Sequence, residues 1–431
     1  MRVLTTTRPD FPSVLEALLG SRSEPAPSEA VLARVRGIIA DVRSNGDEAL
    51  IRLTRELDRW DGQELVLPTR LLHEAREQLP ARVVADLVLA RDRIAAFHRR
   101  QRERDVELDA EDGVYLAQRH VPLRRVGLYV PGGTAAYPSS VLMSAVPAKV
   151  AGVDEVIMVT PTPDGVVNPV VLAAAALAGV DRVVRIGGAQ AVAALAYGTA
   201  SVPRVDKIVG PGNTWVATAK REVFGAVGID SIAGPSELCV VATPDGGASP
   251  RVLAADLLSQ AEHDPAAMVS FLSPDAALVE AVVAECREQA RALPRAAIAE
   301  ASLRDFGIAV VTRSLEEALD LAERIAPEHL ELVVPHAERL AGRFRSAGAI
   351  FCGPHTPEAV GDYLAGANHV LPTNGTARFF SPLGTSDFMR RTNVIRFNRQ
   401  AIERLGPPTI RLAELEGLEG HARSVRFRLE P

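Results

Sequence analysis

The sequence predicts an α/β protein built on two doubly wound parallel sheets, and three observations predict it. From about residue 126, short β-rich runs alternate with Ala-rich helical stretches. A second series of the same kind begins near residue 237. Both series are framed by segments without that rhythm, a helical lead-in and a small helical tail after about residue 380. Strands alternating with helices of roughly 10–15 residues mean βαβ units, and βαβ units mean parallel strands.

The lead-in comes first. "SEAVLARVRGIIADVRS" spaces its apolar residues by three and four behind Ser28, a good N-cap. "DEALIRLTRELDRW" and "ARVVADLVLARDRIAAFHRRQRER" repeat the pattern, so the first ~110 residues read as helical. The Arg and Glu run at 99–107 reads as a solvated helix face. In the first series "RVGLYVPGG", "EVIMVT", "RVVRIGG" and "DKIVGPGN" are strands, three of them entering glycine turns. "SSVLMSAVPAKVAGV", "NPVVLAAAALAGV", "AQAVAALAYGT" and "TWVATAKREVFG" are the helices between and after them. In the second series "ELCVVAT", "AMVSFLS", "GIAVVT", "LELVV" and "AGAIFCG" are strands. "RVLAADLLSQAEH", "DAALVEAVVAECREQARAL" and "SLEEALDLAERIA" are helices. "NRQAIERL" and "AELEGLEGHARSVRFRLE" form the helical tail. These shifts suggest an N-terminal arm at 1–25 and a first α/β domain from 26–125 and 237–380. A second, inserted domain takes 126–236, and a small C-terminal segment takes 381–431.

Composition narrows the function. With 47% apolar and 24% charged residues the chain can bury real cores. A net charge of −6 argues against a general nucleic-acid binder. The apolar run "PVVLAAAALAGV" is too short to span a bilayer. "MRVLTTTRPDFPSVLEALLG" lacks the basic-then-apolar order of a signal peptide. Cys239, Cys286 and Cys352 are widely spaced, odd in number and free of any CxxC pattern, as reduced thiols are. A cytoplasmic protein is expected.

Five groups of residues could carry chemistry. "VPGGTAAYP", "IGGAQA" and "GPGNTW" each join a strand to a helix, where α/β folds place ligands. None is G-x-G-x-x-G or a Walker loop, and tight turns also need glycine for their own sake. In "SQAEHD", Gln260 and His263 stand at i and i+3 on one helix face, as a half-built metal site or as a plain polar helix end. In "APEHLELVV", Pro327 ends a helix and leaves Glu328 and His329 at an element boundary, as an acid–base pair or a surface turn. "AVGDYLAGANHVLPT" offers Asp362 and His369, and "AELEGLEGHARS" offers Glu416 and His421. Cys239 sits in an apolar strand without an adjacent base, which reads as a structural thiol.

Taken together, these segments resemble the histidinol dehydrogenase family. "RVGLYVPGG", "GGAQAVAALAYGT", "VDKIVGPGN", "AGPSE", "DLLSQAEHDP", "APEHLEL", "GDYLAGANHVLPT" and "EGLEGH" run in family order from about residue 120 to 425. The resemblance implies two incomplete Rossmann-like domains, with small terminal segments swapped between the subunits of a homodimer. It implies oxidation of L-histidinol to L-histidine through L-histidinaldehyde, with two NAD per turnover and one zinc ion per site. Zinc would be held by Gln260, His263, Asp362 and the partner's His421. Glu328 and His329 match the catalytic pair. Ser236, His369 and Glu416 match positions near the substrate, joined there by the zinc ligands and His329. Tyr129, Gln190 and Asn213 match NAD contacts. Three competitors stand beside this reading: a dehydrogenase of the same fold acting on another small polar alcohol, a zinc hydrolase using Glu328, and a non-catalytic binder.

Overall fold

The structure is a computed structural model. It describes residues 1–22, 27–109, 112–132 and 136–430. The end of the expected N-terminal arm, at 23–25, and the middle of the turn "VPGGTAAYP", at 133–135, lie outside the described residues.

Fourteen strands are found among the described residues, in three sheets. In chain order they are β1 (Arg2–Thr5), β2 (Val106–Asp109), β3 (Val114–Pro122), β4 (Arg125–Tyr129), β5 (Glu155–Val159), β6 (Arg182–Val184) and β7 (Lys207–Val209). Then follow β8 (Gly228–Ile229), β9 (Glu237–Ala242), β10 (Met268–Ser273), β11 (Ile308–Val311), β12 (His329–Val333), β13 (Ala349–Cys352) and β14 (Met389–Phe397). One parallel sheet runs β1-β11-β10-β9-β12-β13. A second parallel sheet runs β6-β5-β4-β7-β8. Each winds outward from a central strand, returns beside it and leaves the other way. The points of return lie between β9 and β12 and between β4 and β7.

Both sheets are buried on both faces, as parallel sheets must be. Val126 and Leu128 of β4 pack with the helices Pro138–Ala151 and Pro169–Ala178 on one side. Ile157 and Val159 pack with Gly188–Tyr197 and the long lead-in helix on the other. In the larger sheet Val240 and Phe271 face one layer, while Cys239, Leu330 and Leu332 face the other. Phe271 is wholly buried, a contribution of roughly 2–3 kcal/mol.

The lead-in behaves as its pattern suggests at Ser28, whose side chain accepts from the Val31 N–H at 3.3 Å. Its first two expected helices are one helix, Glu29–Asp58, broken only at Gly46, where φ is +53°. Three expectations need correction. The first ~110 residues also contain β1 and β2. The charged run is not one helix face, because the helix ends at Gln101 and β2 starts at Val106. The tail is not purely helical, because β14 pairs antiparallel with β3 along nine residues. Its helices are longer than expected, Arg399–Leu415 running through Pro407 and Pro408 and packing on Glu419–Leu429. Among the described residues no helix is long and apolar enough to cross a membrane.

Candidate active site

Glu328 and His329, the expected acid–base pair, are positioned by how β12 begins. The helix Leu315–Ile325 closes at Ala326, whose φ of +50° turns its N–H back to the carbonyls of Ala322 and Glu323. Pro327 forbids another helical turn, and Glu328 and His329 enter the sheet between β9 and β13. The approach of β13 is close there. A Cβ on Gly348 would stand 2.5 Å from the Glu328 carbonyl oxygen, so only glycine fits.

Glu237, at the start of β9, holds both members of the pair through its main chain. Its N–H donates to Glu328 Oε2 at 2.9 Å. Its carbonyl oxygen lies 3.0 Å from His329 Nδ1. A carbonyl only accepts, so Nδ1 carries the proton and Nε2 keeps its lone pair. The Glu237 carboxylate is itself paired with Arg22 at 3.1 Å, both side chains buried.

His329 Nε2 faces a cluster supplied by other elements. Glu358 and Asp362 stand at i and i+4 of the helix Glu358–Tyr363. One ligating atom each from His329, Glu358 and Asp362 lies within 4.8 Å of the other two, with Nε2 3.7 Å from Glu358 Oε1. His369 Nδ1 is 3.4 Å from Asp362 Oδ1. The helix Pro250–Ala261 packs against Glu358–Tyr363 and brings Ser259 Oγ within 2.9 Å of Glu358 Oε2. At its end Gln260 Nε2 and His263 Nδ1 are 3.4 Å apart, as their shared face requires. Asp264 turns away and accepts from the Ala266 N–H. Two buried oxygens, Gln260 Oε1 and Glu358 Oε1, have no hydrogen-bond partner.

Burial and charge divide the titratable groups. Burial pushes His329 down to about 4, so its imidazole rests neutral. Burial pushes Glu358 up to about 7, with Asp362 adding to the shift. Glu328 is driven well above the carboxylate range by burial and then by Glu237, Asp362 and Glu358. Burial also pushes Asp362 up, but the hydrogen bond and charge of His369, with His329 and His263, outweigh it and hold its pKa low. A neutral imidazole, a low carboxylate and raised carboxyls in one buried place can accept, hold and return protons.

Sequence reasoning named most of this group. Ser236 directly precedes Glu237 at the start of β9, its carbonyl accepting from the Met268 N–H. Glu416 and His421 are exposed in the tail, and among the described residues no hydrogen bond or ion pair joins them to the cluster. Glu358, Glu237 and Arg22 were missed. The spacing of Glu358 to Asp362 in "PEAVGDY" was the available signal for the first. Arg22 and Glu237 meet only through the fold. Cys239 is wholly buried in β9 and burial pushes its thiol up, so it supplies no thiolate.

The three residues matched to NAD gather elsewhere. A cleft of about 520 Å³ opens at the carboxyl ends of β4, β5, β6 and β7, at the point where the second sheet reverses its winding. Tyr129, Gln190 and Asn213 all line it. The Tyr129 hydroxyl accepts from the Gly188 N–H at 3.1 Å, and Asn213 caps the helix Thr214–Val223. Gly210 is pinned in this turn. Its N–H donates to Asp230 at 2.7 Å, its carbonyl accepts from Lys220 Nζ at 3.0 Å, and Lys220 and Asp230 pair in the interior. Gly210 has φ +112°, and a Cβ there would stand 2.2 Å from the Tyr129 carbonyl oxygen.

Known proteins match this arrangement over its whole length. A family model described as histidinol dehydrogenase matches residues 21–429. A histidinol dehydrogenase from Syntrophotalea carbinolica is 54% identical over 432 residues, covering 100% of this chain and 99% of the relative. One from Geobacter sulfurreducens is 51% identical and covers 100% of both. The crystal structure of histidinol dehydrogenase from Elizabethkingia anophelis superposes with a TM-score of 0.92 at 31% identity, covering 99% of this chain and 97% of that one. A match that spans both wound sheets, the paired Glu328 and His329, and the tail leaves one assignment: the chain belongs to the histidinol dehydrogenase family of oxidoreductases.

Proposed function

We propose that the protein oxidises L-histidinol to L-histidine through L-histidinaldehyde, with NAD as acceptor in both oxidations and one zinc ion per site. One observation carries this reading. A buried, neutral His329 presents a free Nε2 lone pair to a cluster that contains an ionised Asp362 and an unsatisfied Gln260 oxygen.

The donor set fits a metal. Gln260 Oε1 is a buried amide oxygen without a partner, and an oxygen of that kind costs free energy until a donor or cation satisfies it. His263 adds an imidazole and Asp362 a carboxylate kept ionised, the ligand types zinc takes. The fourth ligand would be His421 of the partner subunit, since this chain's own His421 is exposed. Zinc there would supply an electrostatic clamp for the two nitrogen donors of histidinol.

His329 Nε2 takes the alcohol proton in the first oxidation, while Nδ1 stays held by Glu237. Glu328, once deprotonated, is a strong base for its kind and takes a proton from water during hydration of the aldehyde. His329 then serves again in the second oxidation. Ser236, His369 and Glu358 border the substrate, and Glu416 does so from the other subunit.

The remaining organisation follows from this reading. Residues 237–380 form the body of the domain with the proton-handling cluster and 126–236 the inserted domain with the dinucleotide cleft; the helices of 26–125, expected with the first, pack on the sheet of the second, and 1–25 and 381–431 are terminal segments. The working unit is a homodimer, supported by the exposed apolar residues Leu412, Leu415, Leu418 and Phe427 on the tail helices. Three free cysteines suit the cytoplasm.

A second metal assignment has its own support, because His329, Glu358 and Asp362 form the tightest carboxylate–imidazole group. Metal analysis separates the two: His329→Asn keeps its zinc if Gln260 and His263 are ligands and loses it if His329 is one. The activity test is direct. Protein, zinc, NAD and L-histidinol should give two NADH per histidine formed, and no NADH from histidinol would sink the reading.

A further inference from the structure

We propose that Asp58 reads the adenosine ribose of the dinucleotide and makes the protein select NAD over NADP. The inference rests on the cleft being the dinucleotide site.

Asp58 is the last residue of the helix Glu29–Asp58 and lines the cleft with Tyr129, Gln190 and Asn213. It is 8% exposed; its carboxyl accepts from the Thr162 N–H, but its Oδ2 has no hydrogen-bond partner. Among the described residues no ion pair neutralises it. Arg59 is paired with Asp164, Arg34 with Glu56, and Arg185 lies over the Trp60 ring at 4.4 Å. A carboxyl oxygen buried without a donor is costly, and burial accordingly raises its pKa. It must gain something when the cleft fills.

The chemistry of the gap selects the ligand. An acceptor-only group in a cleft is satisfied by hydroxyls, and a ribose offers two adjacent ones, enough to fill the free Oδ2 and share the other oxygen. A phosphate on the 2′ oxygen removes one of those donors and sets a dianion against Asp58. The same cleft exposes apolar surface at Leu57, 51% exposed, and Trp215, 39% exposed, where a flat base can lie beside that ribose. The cleft lining contains none of His329, Glu358, Asp362 or His263. The nucleoside held there is therefore the non-reacting one, adenosine, which is also the one that carries the 2′-phosphate in NADP.

The test compares cofactors on the zinc-loaded protein with histidinol. Wild-type protein should favour NAD, and should bind 2′-deoxy-NAD (lacking the adenosine 2′-hydroxyl) about tenfold or more weakly than NAD by calorimetry, the worth of one hydrogen bond to a charged group. Asp58→Asn should lower kcat/KM for NAD by about tenfold or more through KM, with the KM for histidinol unmoved. Its ratio of NADP to NAD activity should rise by a similar factor. A ratio unchanged in Asp58→Asn, or equal affinity of wild-type protein for NAD and 2′-deoxy-NAD, overturns the ribose assignment while leaving the cofactor reading intact. The analogue comparison needs no variant and decides the matter even if Asp58→Asn does not fold. Wild-type protein that neither binds NAD nor forms NADH removes the cofactor reading, and the ribose assignment falls with it.

Discussion

His329 and Glu237 are joined through the imidazole Nδ1 and a main-chain carbonyl oxygen 3.0 Å away. Because the acceptor is a carbonyl, it fixes the tautomer without adding charge. The ring is held by an atom that no side-chain change removes, and its reactive nitrogen points at the cluster. His329→Asn should keep the fold and the bound zinc while losing about 10²-fold or more in kcat, the usual worth of a positioned base. Stopped-flow measurement of NADH formation, with metal content determined on the same sample, checks this. A variant with near wild-type kcat would remove His329 as the base.

The Gly210 turn that borders the cleft depends on a buried ion pair. Lys220 and Asp230 grip the two sides of the Gly210 peptide, and side-chain exposures of 3% and 6% mean water cannot replace either partner. Asp230→Asn leaves a buried ammonium with a weaker partner. It should destabilise the protein by about 3 kcal/mol, seen as a lower urea midpoint. It should also raise the KM for NAD more than it lowers kcat, because Asn213 and Tyr129 lie on either side of the pinned glycine. An unchanged KM with lowered stability would limit the pair to a structural role.

Much of this was legible in the sequence, for a physical reason. Parallel strands buried on both faces read as continuous apolar runs, and "ELCVVA" and "MVSFLS" are buried at every position. The cluster residues were legible as a set only through family resemblance, since 99 positions separate His263 from Asp362. What escaped was whatever depends on distant pairing. "MRRTNVIRF" has no apolar face to betray a strand, and its partner β3 lies more than 260 positions earlier. Asp58 closes an ordinary amphipathic helix, and only the packing of that helix on the second sheet turns it toward a cleft.

Acid stability should depend on Glu317. The hydrogen bond from Arg313, with contributions from Thr6 and the Arg313 N–H, holds its pKa down to about 2, below the 4.5 of an unfolded chain. A depressed carboxylate stabilises the fold above its unfolded pKa and loses that contribution as pH falls from about 5 toward 2. After screening at a site near the surface the effect is about 1 kcal/mol. Glu317→Gln should therefore be less stable than wild type at pH 7, and the two denaturation midpoints should converge as the pH approaches 2. Midpoints that stay equally far apart across that range would show that the ionised carboxylate is not the source.

The tail supplies the last prediction. His421 is exposed, its main chain bonds within its own helix segment, and the same tail carries apolar side chains that face solvent, Leu415 at 83% exposure above all. On the proposed ligand set, the fourth zinc ligand would be this histidine given by another copy. A dimer interface of this kind is reciprocal, each subunit lending the same residue to the other. His421→Ala and His329→Asn should each be inactive as homodimers. In a heterodimer one site draws both damaged residues, and the other draws an intact His329 from one chain and an intact His421 from its partner. Mixing the two variants under conditions of subunit exchange should thus restore one working site per heterodimer, measured as NADH formation that rises with exchange. Exchange verified by mass spectrometry without any recovered activity would show that each site is built from a single chain.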